Sequence, residues 1–311
     1  MICKQVNPTI RALVLLAASL NPSQAAERNG RVAYVNGADV YTTTPDGADV
    51  QRLTHLEPGS SAERPSWEPD DKRIVYSVRF SDIPRQLWMM NANGRNQHRL
   101  LDDPKYDDTD GSFSPEGKTI VFSRCQLSPH DACAVYQVSI DGSGLSAITR
   151  FQPGVVDSSP IFSVDGRTIA FERRRPDDVP GIYLISADGS NVRRLTRSGY
   201  AAHHPNWSPD GSQIAMSCKC SVSGGAAIWL LDRDGAGMRQ LSSVYAIGED
   251  SAMVDHLFPS WSPDGNFLAV EQRTDGTDSN VVIVNTADAA LQHEHVKRLI
   301  RGSQPSWSQA P

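Results

Sequence analysis

Short apolar runs alternate with turn-forming residues from about residue 31 onward. Two examples are Ile74-Val75-Tyr76 followed by Leu87-Trp88-Met89, and Ile169-Ala170-Phe171 followed by Ile182-Tyr183-Leu184. Runs of this length, rich in β-branched and aromatic residues and bounded by Gly, Pro, Asn and Asp, predict β-strands joined by hairpins. No long segment has apolar residues at helical spacing, so the pattern predicts an all-β fold.

The predicted strands belong to a repeat that is marked by an aromatic residue. Residues 205–211 (PNWSPDG) and 259–265 (PSWSPDG) are nearly identical. The marker aromatic recurs at intervals of about 45 to 54 residues, at Trp67, Phe113, Phe162, Trp207, Trp261 and Trp307. A period in this range indicates a repeat architecture. Each repeat contains four predicted strands, and a β-propeller stacks such sheets radially so that both faces are buried. We therefore expect the marker tryptophans to lie in the core.

The two ends of the chain contain complementary parts of one repeat. The first three predicted strands, near residues 31–34, 40–42 and 51–54, match the second to fourth strands of a repeat. Residues 305–308 (PSWS) match only the first strand. Pairing of these parts would remove open sheet edges. The sequence thus predicts a single six-bladed β-propeller of four-stranded antiparallel blades over residues 26–311. A C-terminal strand that joins the N-terminal blade would close the ring.

Residues 1–25 have the layout of a secretory signal peptide. Lys4 and Arg11 are the only charges, residues 12–20 are apolar, and small residues precede a predicted cleavage site near Ala25. The apolar run is too short to span a membrane. The alternative is an apolar helix packed on the ring. We expect an exported, soluble, monomeric protein of the bacterial periplasm, without a membrane span.

The numbers of acidic and basic residues indicate which classes of binding partner the chain disfavours. The formal net charge is −6, from 36 acidic and 30 basic residues, and the longest basic run is Arg173-Arg174-Arg175. A net acidic chain without a basic cluster argues against binding to nucleic acid or to an anionic membrane surface.

Four cysteines lie outside the predicted signal peptide, and an exported protein can form disulfides. Cys125 and Cys133 flank the predicted loop between the second and third strands of one blade, so we expect a disulfide there. Cys218 and Cys220 lie in the equivalent loop two blades later. They form either a second disulfide or half of a metal site.

Residues shortly before each marker proline should line one mouth of a central channel, because they lead into the innermost strand of each blade. Positions two and three residues before the proline, with adjacent acidic residues and histidines, give the candidate binding set. It comprises Glu63, Asp107, Asp108, Asp157, His203, His204, Asp255 and His256, with Asp110 beside them. Two interpretations remain open. The set binds a ligand or partner, with a divalent cation as a possible occupant, or it only satisfies buried backbone groups. We expect no other cofactor.

The sequence contains no Gly-x-Ser-x-Gly motif, and therefore no nucleophile of the α/β-hydrolase type. We expect a protein that binds rather than one that catalyses.

The repeat resembles the TolB-type β-propeller repeat. The resemblance covers about residues 28–311 and is carried by residues 205–211, 188–190 (DGS), 194–196 (RLT) and 305–308. It implies the propeller domain of that family without its N-terminal α/β domain, acting as a non-catalytic periplasmic module. Such a module binds a protein or peptide of the cell envelope through one face. The alternative is a metal-assisted polysaccharide lyase or hydrolase, since some oligogalacturonate lyases resemble this repeat and use channel histidines. The candidates are then His203, His204 and His256.

Overall fold

The computed structural model describes residues 30–127, 132–220, 225–242, 254–274, 278–287 and 296–309. The predicted signal peptide lies outside the described residues. Within these ranges every helix or strand is a β-strand, which confirms the all-β prediction. The same ranges contain no helix with the length and apolar character needed to cross a membrane.

In chain order the strands are β1 (Val32–Asn36), β2 (Asp39–Thr43), β3 (Gln51–Arg52), β4 (Ser61–Trp67), β5 (Arg73–Arg79), β6 (Gln86–Asn91), β7 (His98–Arg99), β8 (Tyr106–Phe113), β9 (Thr119–Gln126), β10 (Cys133–Ser139), β11 (Ser146–Ala147), β12 (Val156–Phe162), β13 (Thr168–Arg175), β14 (Asp178–Ser186), β15 (Arg193–Arg194), β16 (Ala201–Trp207), β17 (Gln213–Lys219), β18 (Ala227–Asp232), β19 (Arg239–Gln240), β20 (Asp255–Trp261), β21 (Phe267–Arg273), β22 (Ser279–Asn285), β23 (Val296–Arg301) and β24 (Ser303–Trp307).

Within a unit, strands that are neighbours in sequence pair antiparallel. Three sheets have the orders β4-β5-β6-β7, β16-β17-β18-β19 and β20-β21-β22-β23. A fourth has the order β24-β1-β2-β3, because β24 pairs antiparallel with β1. The units β8 to β11 and β12 to β15 merge into one eight-stranded sheet, which is joined by the single parallel pair Cys133–Val156. Each unit thus contains the four strands that its repeat predicts.

The Ser-Pro-Asp-Gly segment builds the turn between the first two strands of a unit. In residues 208–213, the Ser208 hydroxyl donates to Asp210 Oδ1 at 2.6 Å and accepts the Gln213 N–H at 2.9 Å. Gly211 has φ +68°, a left-handed conformation that a side chain disfavours. The turn therefore satisfies its own polar groups and returns the chain directly into the next strand.

The core consists of apolar clusters between successive sheets. Trp67, Trp207, Trp261 and Trp307 are 1–5% exposed, which confirms that the marker tryptophans are core residues. The cluster around Trp307 joins Val32 and Tyr34 of β1 to Ala269 and Val281 of β21 and β22. Strands from opposite ends of the described chain therefore share one core cluster. Packing against both neighbouring sheets buries both faces of a unit, which a single sheet could not achieve alone.

The four cysteines form two disulfides, Cys125–Cys133 and Cys218–Cys220. The first joins cross-strand neighbours of β9 and β10, as the sequence predicts. The second corresponds to the disulfide alternative of the two that the sequence left open for Cys218 and Cys220.

Candidate functional site

Each innermost strand contains a β-bulge at its marker position. The pairing register shifts there in the strand pairs β4–β5, β8–β9, β12–β13, β16–β17, β20–β21 and β24–β1. The residue directly before the proline (before Gly111 in β8) has a positive φ of 50–58° in every case. We call these the bulge residues: Arg64, Asp110, Ser159, His204, Phe258 and Gln304. Non-glycine residues seldom adopt this conformation, and a bulge re-aims the side chain.

The bulge residues surround a common cavity. It measures about 110 Å³ and is lined by segments of all six innermost strands, 64–66, 110–112, 159–161, 204–206, 258–260 and 304–305. We call this space the channel cavity. One water needs roughly 10–15 Å³ of such space, so the cavity has room for a small chemical group.

Arg64 carries the positive charge in the channel cavity. Its Nε lies 3.2 Å from Asp110 Oδ1, and its Nη2 lies 3.4 Å from His204 Nε2. The guanidinium carbon lies 4.0 Å from the centre of the Phe258 ring. An arginine that stacks on an aromatic face and pairs with a carboxylate has lost most of its rotamer freedom. Arg64 is therefore a positioned cation.

Like Asp110, and unlike the rest of the candidate binding set, His204 lines the channel cavity. Its ring centroid lies 3.9 Å from that of Phe258. Burial lowers the pKa of His204 well below 6.5, and the charges of Arg64, His203 and Arg273 lower it further. A guanidinium can only donate, so the ring nitrogen facing Arg64 is the acceptor and Nδ1 carries the hydrogen. Nδ1 has no hydrogen-bond partner among the described residues.

Asp108 and Asp157 lie inside the protein rather than in the channel. Asp108 is 3% exposed and accepts two hydrogen bonds from Arg124, at 2.8 and 2.7 Å. Asp157 is fully buried and accepts two from Arg173, at 2.6 and 2.7 Å. Burial raises the pKa of Asp108, against the opposing effect of Arg124. Both carboxylates are the cross-strand neighbours of their arginines. We call these two ion pairs the buried pairs.

Other units have apolar residues at the positions of the buried pairs. Ala62 opposes Val78, and Ala202 opposes Cys218. All four residues are at most 2% exposed. The position three residues before the marker proline is thus an interior position in every one of these units.

His256 occupies the same interior position and is 2% exposed. Its Nδ1 lies 3.2 Å from the Ser242 hydroxyl, and its Nε2 lies 3.3 Å from Gln272 Nε2. The Ser242 hydroxyl also accepts the backbone N–H of Ile228, just as Thr149 accepts that of Val135. The Ser242–His256 contact therefore belongs to the packing of the repeat and does not form an accessible nucleophile–base pair.

Glu63 and Asp107 lie at the edge of the sheets and pair with arginines. Glu63 accepts hydrogen bonds from Arg79 at 2.7 Å and from Arg85 at 3.3 Å. Asp107 accepts from the Arg85 side chain at 2.6–3.1 Å and from its backbone N–H at 2.7 Å. These two carboxylates of the candidate binding set are thus paired with arginines.

The remaining two predicted residues also have protein partners. His203 Nδ1 lies 3.0 Å from Glu172 Oε1. Asp255 Oδ1 accepts the backbone N–H of Ala226 at 2.7 Å. The predicted set is therefore brought to one end of the strands without converging on a single centre.

The three histidines of the lyase hypothesis do not form a metal centre. His203 contacts Glu172, His204 lines the channel cavity, and His256 is buried against Ser242. Among the described residues, no group of three or more His, Cys, Asp or Glu is placed to hold a metal ion.

Four further residues line the channel cavity that the sequence did not indicate: Arg64, Ser159, Phe258 and Gln304. All four directly precede the marker proline, so their equivalent places in the repeat are visible in the sequence. That position looks like ordinary strand in the sequence, and only the bulge turns its side chain into the channel.

Comparison with known proteins now places this geometry in a family. A profile of the TolB beta propeller domain matches residues 105–310. The chain belongs to the TolB β-propeller family. The resemblance of the repeat to the TolB type is thereby confirmed.

Two curated relatives illustrate the range of proteins that share this propeller. The chain is 28% identical over 200 residues to "Uncharacterized peptidase YuxL" of Bacillus subtilis, covering 55% of this chain and 30% of that protein. It is 25% identical over 154 residues to the Tol-Pal system protein TolB of Alcanivorax borkumensis, covering 46% and 34%. The matches span about a third of the length of these relatives.

Among solved structures, TolB from Acinetobacter baumannii superimposes with a TM-score of 0.72 at 21% identity. The match covers 90% of this chain and 67% of that chain. This likeness shows the propeller fold and leaves the ligand to be argued from the residues of this chain.

Proposed function

We propose that this chain is a non-catalytic binding module of the cell envelope, which holds a protein or peptide at the mouth of the channel. The observation that carries the proposal is the channel cavity itself. It brings together a positioned arginine, an aromatic ring and a histidine. Propellers of one fold serve many functions, so the site and not the fold must carry this proposal.

We further propose that the units form one closed ring of six blades. The pairing of β24 with β1 supports this, as does the core cluster around Trp307. A hydrogen bond of 2.8 Å from the backbone N–H of Arg64 to Gln304 Oε1 joins the innermost strands of the first and second units. Closure would hold the six bulge residues around a common axis and thus keep the cavity in one shape.

The two disulfides support an exported protein, because such bonds persist mainly outside the reducing cytosol. A named relative in the Tol-Pal system is consistent with the envelope. We therefore propose a periplasmic location, with residues 1–25 acting as the export signal.

Metal-assisted polysaccharide cleavage is the less favoured function. It requires several channel histidines around one ion. The His203 and His204 rings lie 5.8 Å apart, but His256 is 2% exposed and contacts Ser242 instead. Peptidase activity, suggested by the name of one relative, finds no support at Ser242, the hydroxyl that contacts His256, because both residues are buried.

Affinity capture from an envelope extract tests the binding function. Phe258→Ala removes the ring that contacts both Arg64 and His204, and Val192→Ala is the matched control at an apolar side chain that is 50% exposed elsewhere. We expect recovery of the partner to fall about tenfold or more with Phe258→Ala, since aromatic anchors in pockets dominate binding energy. Recovery with Val192→Ala should match the unmodified protein.

Quantitative mass spectrometry of the captured proteins provides the measurement. Equal recovery of every protein by the Phe258→Ala and Val192→Ala variants would exclude the channel as the binding site. The melting temperatures of both variants, measured in parallel, separate loss of binding from loss of fold.

A further inference from the structure

The described residues that line the channel cavity include three side chains with a carboxylate or amide oxygen, Asp110, Asn206 and Gln304, and protein donors engage each of them. Asp110 accepts the backbone N–H of Ser159 at 3.1 Å, besides pairing with Arg64. Gln304 Oε1 accepts the Arg64 N–H, and Asn206 Oδ1 accepts that of Trp261 at 3.4 Å. The cavity wall therefore has little acceptor capacity left for a cationic ligand.

Donors, in contrast, remain available. Arg64 uses Nε toward Asp110 and Nη2 toward His204, and its Nη1 contacts no acceptor in the described part of the chain. The side-chain amide nitrogen of Asn206, which lines the same cavity, is likewise without an acceptor in the described ranges. Arg64 is 24% exposed, so a ligand that enters the cavity can reach it.

The immediate surroundings keep Arg64 in place for this purpose. The Phe258 ring covers one face of the guanidinium at 4.0 Å. The Asp110 carboxylate, which is 8% exposed, is itself held by the Ser159 N–H and lies 3.4 Å from the Ser123 hydroxyl. The arginine thus needs no reorganisation when an anion arrives, and the resulting hydrogen bonds would be charge-assisted.

From this imbalance between donors and acceptors we propose that the channel cavity binds a carboxylate of the partner, with Arg64 as the principal donor and Asn206 beside it. The proposal rests on the proposed function of the channel as a binding site. The carboxylate can come from an Asp or Glu side chain or from a peptide C-terminus, and a cavity of about 110 Å³ accepts either group.

Three small probes distinguish the sources. N-acetyl-aspartate methylamide carries only a side-chain carboxylate, and N-acetyl-glycine carries only a C-terminal carboxylate. N-acetyl-asparagine methylamide is the neutral control. Titration of the isotope-labelled protein by NMR would follow the Nε–H resonance of Arg64. We expect at least one carboxylate probe to shift this resonance in a saturable way and the neutral probe to leave it unchanged.

Arg64→Gln should weaken binding of the active probe about tenfold, because a hydrogen bond to a charged group is lost. Arg79→Gln is the matched control, since it removes the same charge from an arginine that pairs with Glu63 and is 55% exposed. Arg64→Lys keeps the charge and should bind with intermediate affinity. It provides a second test if the glutamine variant folds poorly.

Equal shifts from the neutral and the carboxylate probes would overturn the proposal, as would equal affinities of the Arg64→Gln and Arg79→Gln variants. The outcome is separable from that of the capture experiment. Loss of partner recovery with Phe258→Ala but no response to any carboxylate would retain the binding function and reject the carboxylate. Carboxylate binding without a captured partner would retain the carboxylate site and reject the binding of an envelope protein or peptide.

Discussion

Asp157 and Ser159 lie two residues apart on β12, yet they have opposite surroundings. Asp157 is fully buried and pairs with Arg173, whereas Ser159 lines the channel cavity. In a regular strand, residues two apart point to the same face. The bulge at Ser159 breaks this period, and the same holds for Asp108 and Asp110 in β8. One extra residue per innermost strand thus separates the residues that hold the blades together from those that line the channel cavity.

The largest expected effect is a loss of stability when the buried pair of Asp157 and Arg173 is broken. Asp157→Ala leaves the Arg173 guanidinium, 6% exposed, without its carboxylate. An uncompensated buried charge destabilises a protein by about 3–5 kcal/mol. Urea denaturation should show a loss of this size in the free energy of unfolding. Asp278→Ala, which breaks an ion pair that is 64–70% exposed, should change stability little.

A second substitution shows whether the charge itself is responsible. Asp157→Ala combined with Arg173→Val reproduces the Ala62–Val78 pair that another unit has at this position. We expect the double variant to regain most of the lost stability, because a buried ion pair replaced by apolar residues is often nearly neutral. If the double variant is as unstable as Asp157→Ala alone, the buried pair stabilises the blade in some other way.

On the channel side, His204 should affect how the free energy of unfolding depends on pH. Because burial lowers the pKa of His204 below 6.5, the unfolded chain takes up a proton before the folded one does as pH falls. His204 thus stabilises the fold above pH 6.5, and this contribution is lost as the pH falls through its lowered pKa. The slope should reach up to about 1.4 kcal/mol per pH unit. Unfolding measured between pH 7 and 5 should show a flatter dependence for His204→Gln; an unchanged slope would contradict the assignment.

The smallest effect is expected at the bulge backbone. Ser159 has φ +50°, so Ser159→Gly relieves a strained conformation while it adds flexibility to the unfolded chain. The two effects should nearly cancel, so the free energy of unfolding should change by less than about 1 kcal/mol. Ser158→Gly, in the residue before the bulge, has no strain to relieve and should destabilise by about 0.5–1 kcal/mol. Thermal unfolding of both variants provides the comparison. A larger loss at Ser159 than at Ser158 would mean that its side chain, and not its backbone, matters.

The sequence predicted the repeat and the all-β fold because both depend on local patterns. The marker tryptophans, the turn residues and the apolar runs repeat with the sheets themselves. The pairing of Cys125 with Cys133 was also predictable, since both flank one hairpin. The candidate site was harder. Asp108 and Asp157 looked like free acids because their arginines come 16 residues later, in the neighbouring strand, where only the pairing register brings them together.

Arg64 and Phe258 were missed for a related reason. Nothing in a single strand indicates that the residue before a proline adopts a left-handed conformation, since proline usually favours an extended predecessor. The channel cavity forms only where six such positions meet. The residue types therefore predicted at which end of the innermost strands the site lies. The backbone conformation at the bulges determines which side chains face the channel cavity.

The pairing of β1 with β24 also affects when the first sheet can finish folding. The Arg31 N–H donates to the Ser308 hydroxyl at 2.8 Å across 277 positions of the chain. During synthesis β1 leaves the ribosome long before β24, so the first sheet lacks this edge partner until the strands between them have been made. Contacts of such long sequence separation slow folding and leave intermediates open to aggregation. A chain with this pairing benefits from staying unfolded, or bound to a chaperone, until β24 is available.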